Sequence, residues 1–245
     1  MSFWEYLILF GCVIVGGSLA YRTKNFTGKS IRLLLSFSGS YFLGITVLHL
    51  MPGVFMEADS SVGLWMLAGF FIQLTLEQLS LGIEHGHIHA HHHGSWRFAM
   101  QIMIGLCIHA YMEGLPLGQY AEFHALQHGH EHGHHHLLIG IILHKMPAAF
   151  ALMSMLLLSG YSQKWVWLCL IIFASMSPLG ALSAELIHAN VHWMRNLMAL
   201  VIGSFLHLST TILFESDDSH QHRIAWKKMM VIALGIGLSI LSSYV

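Results

Sequence analysis

Residues 98–117 read FAMQIMIGLCIHAYMEGLPL, an apolar run that holds one histidine, His109, and one carboxylate, Glu113. The hydrocarbon core of a bilayer takes roughly 20 mostly apolar residues per helix, so this stretch has the length of a membrane span. An ionisable side chain inside hydrocarbon is expensive unless it meets a partner or a water-filled path. The four-residue spacing places His109 and Glu113 on one helix face, close enough to share an ion. Neutral imidazole with carboxylate suits Zn²⁺, and also Fe²⁺, Mn²⁺ or Co²⁺. The competing reading is a mutually satisfied polar pair that holds helices together.

Working outward, seven more stretches qualify as spans: Phe3 to Tyr21, Ile31 to Met51, Val62 to Gly82, Leu137 to Ser159, Trp165 to Ala184, Trp193 to Phe214 and Ala225 to Tyr244. The expected fold class is all-α, a polytopic membrane protein with eight transmembrane helices in a single domain over residues 1–245. Composition agrees. Hydrophobic residues make up 55% and charged residues 9%, against about a quarter charged in soluble domains. Most of the surface therefore faces something other than water. A net charge of −1 leaves no electrostatic footprint for a nucleic acid. Cys12, Cys107 and Cys169 all sit in apolar runs and suggest neither a disulfide framework nor a thiolate zinc site. The first apolar stretch follows Glu5 without a basic flank, and is expected to be a retained span rather than a cleaved signal.

Lys and Arg set the expected orientation. Arg22, Lys24, Lys29 and Arg32 follow span one, Arg97 follows span three, Lys164 follows span five, and Arg223, Lys227 and Lys228 follow span seven. The opposite loops offer only Arg195. Both termini are thus expected to be extracytoplasmic. Helical spans exclude an outer-membrane barrel, and a plasma (inner) membrane location fits the compact chain.

Span five adds LHKMPAAFAL, residues 143–152, with His144 and Lys145. Pro147 donates no backbone hydrogen bond, so the Leu143 carbonyl is freed toward a polar pathway or the helix simply kinks. A buried ammonium repels a metal cation and must be compensated. Lys145 either pairs with Glu113 when no metal is bound or acts as a fixed charge where a second metal would otherwise sit. His49 in VLHLMPG is an entry ligand or an interfacial polar group. His207 in GSFLHLST is a pathway ligand or a packing residue. Glu77 lies at the inner end of span three, as an interfacial group or a metal ligand. Glu185, His188 and His192 cluster beyond span six, where they either attract cations or are merely solvated.

The chain holds 21 histidines against 11 Lys plus Arg, and many fall in two low-complexity loops. Loop 84–96, expected in the cytoplasm, carries His85, His87, His89, His91, His92 and His93. Loop 119–136, expected outside, carries His124, His128, His130, His132, His134, His135 and His136. Dense imidazole binds transition metals, so capture or buffering competes with an inert hydrophilic spacer. Neither tract is expected to fold into a unique site.

Taken in order, these motifs resemble the ZIP (Zrt-, Irt-like) transporters over nearly the whole chain. HAYMEG at 109–114 is similar to the family's H-x-x-x-[ED]-G element, and HKMPAAFAL at 144–152 to its H-x-x-P element. LGITVLHLMP at 43–52, SPLGAL at 177–182 and GSFLHLST at 203–210 resemble the signatures of spans two, six and seven. The resemblance implies a 3+2+3 arrangement with inverted repeats and a metal site between spans four and five, and it places His109, Glu113 and His144 on metal-binding positions. It also implies uptake of a divalent metal toward the cytoplasm. This chain departs from the two-metal members of the family. Ala110 stands where many have Asn, Lys145 where some have Asp or Glu, Ala148 where Glu often follows Pro, and Ser177 where some have Glu. A single transport site is therefore expected, with Lys145 standing in electrostatically for the second ion.

The expected mechanism is alternating access, with three protein ligands and an open coordination position that favours release. Zn²⁺ is the first choice of cargo, with Fe²⁺, Mn²⁺, Co²⁺ and Cd²⁺ as alternatives, and no other cofactor is expected. Expected partners are the metal and the lipid bilayer, with a homodimer left open. No Walker A loop or H-E-x-x-H element occurs, so neither an ATPase nor a metalloprotease is indicated and no enzyme activity is expected. The rival readings are a metal exporter, and a membrane sensor or store that binds metal without flux.

Overall fold

The computed structural model describes residues 1–23, 28–56, 61–83, 96–128, 134–187, 191–214 and 226–242. Its elements are α1 (Phe3–Arg22), α2 (Gly28–Ile45), a π turn (Thr46–Leu50) leading into α3 (Met51–Phe55), α4 (Ser61–Ser80), α5 (Trp96–His128), α6 (His134–Leu158), α7 (Gln163–Leu186), α8 (Val191–Phe214) and α9 (Trp226–Ser242). Seven helical stretches among the described residues are long and apolar enough to cross a membrane, the second being the continuous rod Ser30–Phe55. Helix α9 has 17 residues and so rises about 25 Å, slightly less than the ~30 Å hydrocarbon core. The ends of the expected eighth span, Ala225 and Tyr244, lie outside the described residues. The chain is an all-α polytopic membrane protein.

Helix α4 shows why the sequence folds this way. Its inward stripe is Gly69, Gln73, Leu76 and Ser80, all buried, at the three- and four-residue steps of one helix face. Its outward stripe is Leu64, Leu67 and Phe71, all exposed. A soluble helix buries its large apolar face. Here that face meets lipid, while small and polar residues face the other helices.

The helices form two groups. Helix α1 packs along α6 and α7, and α5 packs along α7. Helix α4 packs along α8, and α2 packs along α9 and α8. The groups meet where α4 and α8 touch α5 and where α2 touches α6. The ends of the bundle also sort by charge. A Tyr21–Gln163 hydrogen bond of 3.2 Å and the Trp96–Trp165 ring contact at 5.6 Å gather Arg22, Arg97 and Lys164 at one end. The Ser61–Asn196 contact of 3.4 Å marks the other end, beside Arg195.

Three local features refine the expectation. Helix α6 is continuous through Pro147, which removes one backbone hydrogen bond without ending the rod. The irregular backbone lies instead in span two, where the π turn Thr46–Leu50 holds His49 just before Pro52. In addition, α5 passes Pro116 and continues to His128, and α6 begins at His134. Much of the stretch expected as an outer loop is therefore helical. Ala121, Glu122, Ala125, Leu126 and Gln127 are strong helix formers, and the density of histidine hides that propensity.

Close approach of the helices depends on missing side chains. A Cβ on Gly180 would lie 2.1 Å from the Tyr111 carbonyl oxygen, and one on Gly114 would lie 2.1 Å from that of Ser177. Helices α5 and α7 therefore touch backbone to backbone beside Glu113. We expect Gly180→Leu to destabilise the protein by about 1–3 kcal/mol, as overpacking does. The check is the thermal midpoint of the detergent-purified variant; an unchanged midpoint would show that α5 and α7 have slack there.

Candidate metal centre

Helix α5 supplies His109 and Glu113, one turn apart on the same face, and α6 supplies the adjacent His144 and Lys145. All four are at most 2% exposed. His109 Nε2 lies 3.3 Å from Glu113 Oε1, and His144 Nε2 lies 3.9 Å from the same oxygen. One donor atom from each of the three residues lies within 4.8 Å of the others. Tetrahedral zinc with bonds near 2.0–2.2 Å sets neighbouring donors on the order of 3.3 Å apart. The cluster thus has the donor set and nearly the spacing of a zinc site, with a small contraction needed at His144.

The second oxygen of the carboxylate faces elsewhere. Glu113 Oε2 lies 3.3 Å from Lys145 Nζ, and that ammonium also sits 4.6 Å from the centroid of the Phe173 ring. The ring face helps hold the cation where water is absent. Glu113 thus divides its oxygens, one toward two imidazoles and one toward an ammonium.

Gln73 is a further polar contact of the cluster that its residue type does not announce in the sequence. It is fully buried on α4. Its Oε1 lies 2.8 Å from His109 Nδ1 and accepts a hydrogen bond from Ser204 Oγ of α8 at 2.9 Å. A signal was present: a glutamine inside FFIQLTL is costly in hydrocarbon unless its amide is satisfied. An amide carries no charge, so it stands out less than the ionisable residues around it.

Other candidates fall along the same axis. Glu77 and His207, considered separately in the sequence, form one pair, with Oε2 and Nε2 2.5 Å apart; the His207 ring also packs edge-on against Phe70. This pair lies one turn beyond Gln73 on α4, toward the end that carries Arg22 and Lys164. At the opposite end the rings of His49 and His136 lie 5.6 Å apart. Ser177 donates to the Ala110 carbonyl at 2.6 Å. His85, His87, His89, His91, His92, His93, His130, His132 and His188 lie outside the described residues. His124, His128, His134 and His135 are described only as helical backbone.

A buried imidazole–carboxylate–imidazole cluster that could hold a metal ion thus lies among helices long and apolar enough to cross a membrane. A family model described as the ZIP zinc transporter matches residues 84–243, and the chain belongs to that family. It is therefore a multi-pass divalent-metal transporter, of a family of carriers rather than enzymes. No curated protein matches the chain significantly.

The Glu113–Lys145 pair can be tested apart from transport. Removing one member of a buried ion pair leaves an uncompensated charge and costs about 3–5 kcal/mol. Glu113→Gln alone and Lys145→Met alone are expected to lower stability by amounts of that order, and the double variant by much less than their sum. Thermal denaturation of the four proteins measures the coupling, and additive losses would show that the two charges do not sense each other.

Proposed function

We propose that the chain carries zinc toward the cytoplasm by alternating access, holding one ion at a time between His109, Glu113 and His144. The observation that supports a single site is the divided carboxylate. A carboxylate that bridges two metals commonly gives one oxygen to each, whereas Glu113 Oε2 faces Lys145 Nζ at 3.3 Å. On this reading Lys145 supplies the positive charge of a second ion without that ion's ligand demands. Two imidazoles and one carboxylate oxygen leave a fourth position for water, which suits a cargo that must be released.

The proposed path enters at the end where His49 and His136 meet, passes the central cluster, and leaves past Glu77 and His207. The positive-inside rule orients the path, with Arg22, Arg97 and Lys164 in the cytoplasm and both termini outside, and membership of the ZIP family supports uptake toward the cytoplasm. The group α1, α5, α6 and α7 shifts against the group α2, α4, α8 and α9, a motion that fits a 3+2+3 arrangement with inverted repeats. The membrane is the plasma membrane, and Fe²⁺, Mn²⁺, Co²⁺ and Cd²⁺ are weaker cargoes. The histidine tracts capture metal near the openings and are not part of the transport site.

The test is zinc uptake into proteoliposomes that hold an internal fluorescent indicator. Wild type is expected to show flux, His109→Ala/Glu113→Ala none, and a variant without the tracts most of the wild-type flux. Metal bound only through the tracts, with no flux in any protein, would overturn the transport mechanism in favour of a sensor or store. In the same assay Lys145→Ala is expected to change flux and the number of zinc ions bound per chain. Identical flux and stoichiometry would remove the counter-ion role.

A further inference from the structure

The polar contacts of the metal centre do not stop at its own helices. His109 belongs to α5, in the group with α1, α6 and α7, whereas Gln73 belongs to α4 and Ser204 to α8, in the other group. The hydrogen bond between Gln73 and His109 therefore crosses the boundary between the two groups.

Its chemistry has a definite polarity. The Gln73 amide oxygen can only accept, and it receives the Ser204 hydroxyl at 2.9 Å. The His109 Nδ1 atom, 2.8 Å from that oxygen, must then be the protonated ring nitrogen. That tautomer leaves the lone pair on Nε2, the atom 3.3 Å from Glu113 Oε1. A metal-ligating histidine generally donates its other ring N–H to an oxygen, which fixes the tautomer and turns the ring. Gln73 is fully buried and set on a stripe that otherwise carries Gly69, Leu76 and Ser80.

We propose that Gln73 is the positioning residue of the metal centre: from the opposite helix group it holds His109 in the tautomer and orientation that present Nε2 to the metal. This rests on the reading of His109, Glu113 and His144 as the metal site. It adds that the site is complete only while the two groups stand in the relation that brings Gln73 to His109. Displacement of one group against the other breaks that hydrogen bond and weakens the ligand, so release is built into the same motion that opens the path.

The experiment is an equilibrium zinc titration of full-length protein in detergent against a competing chromophoric chelator. Subtracting the curve of His109→Ala removes binding by the histidine tracts. Gln73→Met keeps the side-chain length and loses the acceptor; Gln73→Glu keeps the acceptor. The His109-dependent affinity is expected to fall about 10–100-fold in the Met variant, as for other lost partners of metal-bound histidine, and to stay within tenfold of wild type in the Glu variant. A glutamine that serves only to glue helices predicts the reverse, since methionine suits an apolar interior and a buried carboxylate does not. Unchanged affinity in Gln73→Met overturns the proposal. If that variant fails to fold, the Glu variant decides, because loss of His109-dependent binding in folded Gln73→Glu overturns it equally. A wild-type titration without any His109-dependent component would sink the metal-site reading itself. Binding that responds to Gln73 without flux in liposomes would remove only the transport mechanism.

Discussion

A carboxylate in the middle of a bilayer has to be neutralised by something the protein brings to it. Glu113 is 1% exposed, so bulk water does little of the work. The arrangement of α5 and α6 follows from that demand. His109 comes from the same helix one turn back, and His144 and Lys145 come from consecutive positions on the neighbour, so two helices surround one charge with three nitrogen-bearing groups. The ammonium lies 3.3 Å from one carboxylate oxygen and the His109 imidazole 3.3 Å from the other, and it is the neutral form of an imidazole that binds metal.

The demand propagates outward through packing. Helices assembled in lipid gain little from burying large apolar side chains, because lipid is as apolar as leucine. They gain from close contact, which small residues allow. Gly114 against Ser177 and Gly180 against Tyr111 bring α5 and α7 together beside the cluster, and Gly69 against Leu200 with Gly203 against Met66 does the same for α4 and α8. The second contact sets Gln73 and Ser204 side by side, and one turn on it sets Glu77 against His207. Gln73 with Ser204 and Glu77 with His207 thus pair across a seam that glycine makes narrow.

Much of this was legible in the sequence because a bilayer punishes polar residues. Span lengths, the isolated His109 and Glu113, and the asymmetry of Lys and Arg are all departures from an apolar background, and each has one dominant physical cause. Matters that depend on which helix faces which were not legible. No spacing rule links Glu77 to His207 or Gln73 to His109, since those pairs are 130 and 36 residues apart in the chain. Proline was an uneven guide to backbone irregularity: Pro116 and Pro147 lie inside continuous helices, whereas a π turn precedes Pro52. Neighbouring helices re-satisfy what a membrane proline frees, and the sequence does not say where those neighbours are.

A carrier has to bind well enough to select its cargo and poorly enough to let it go. Four strong ligands in a closed shell make a structural zinc site, which keeps its ion. On the proposed reading this chain stays short of that limit in three ways. It offers three donors rather than four. It keeps an ammonium beside the shared carboxylate, which competes electrostatically with the bound cation. It also fixes one imidazole from a helix that belongs to the other half of the molecule. The first two lower affinity uniformly, in every state of the protein. Only the third makes affinity depend on conformation, and a bound ion shifts the balance between two states only through its differential affinity for them. The contact between Gln73 and His109 therefore carries a different kind of consequence from the ligands themselves.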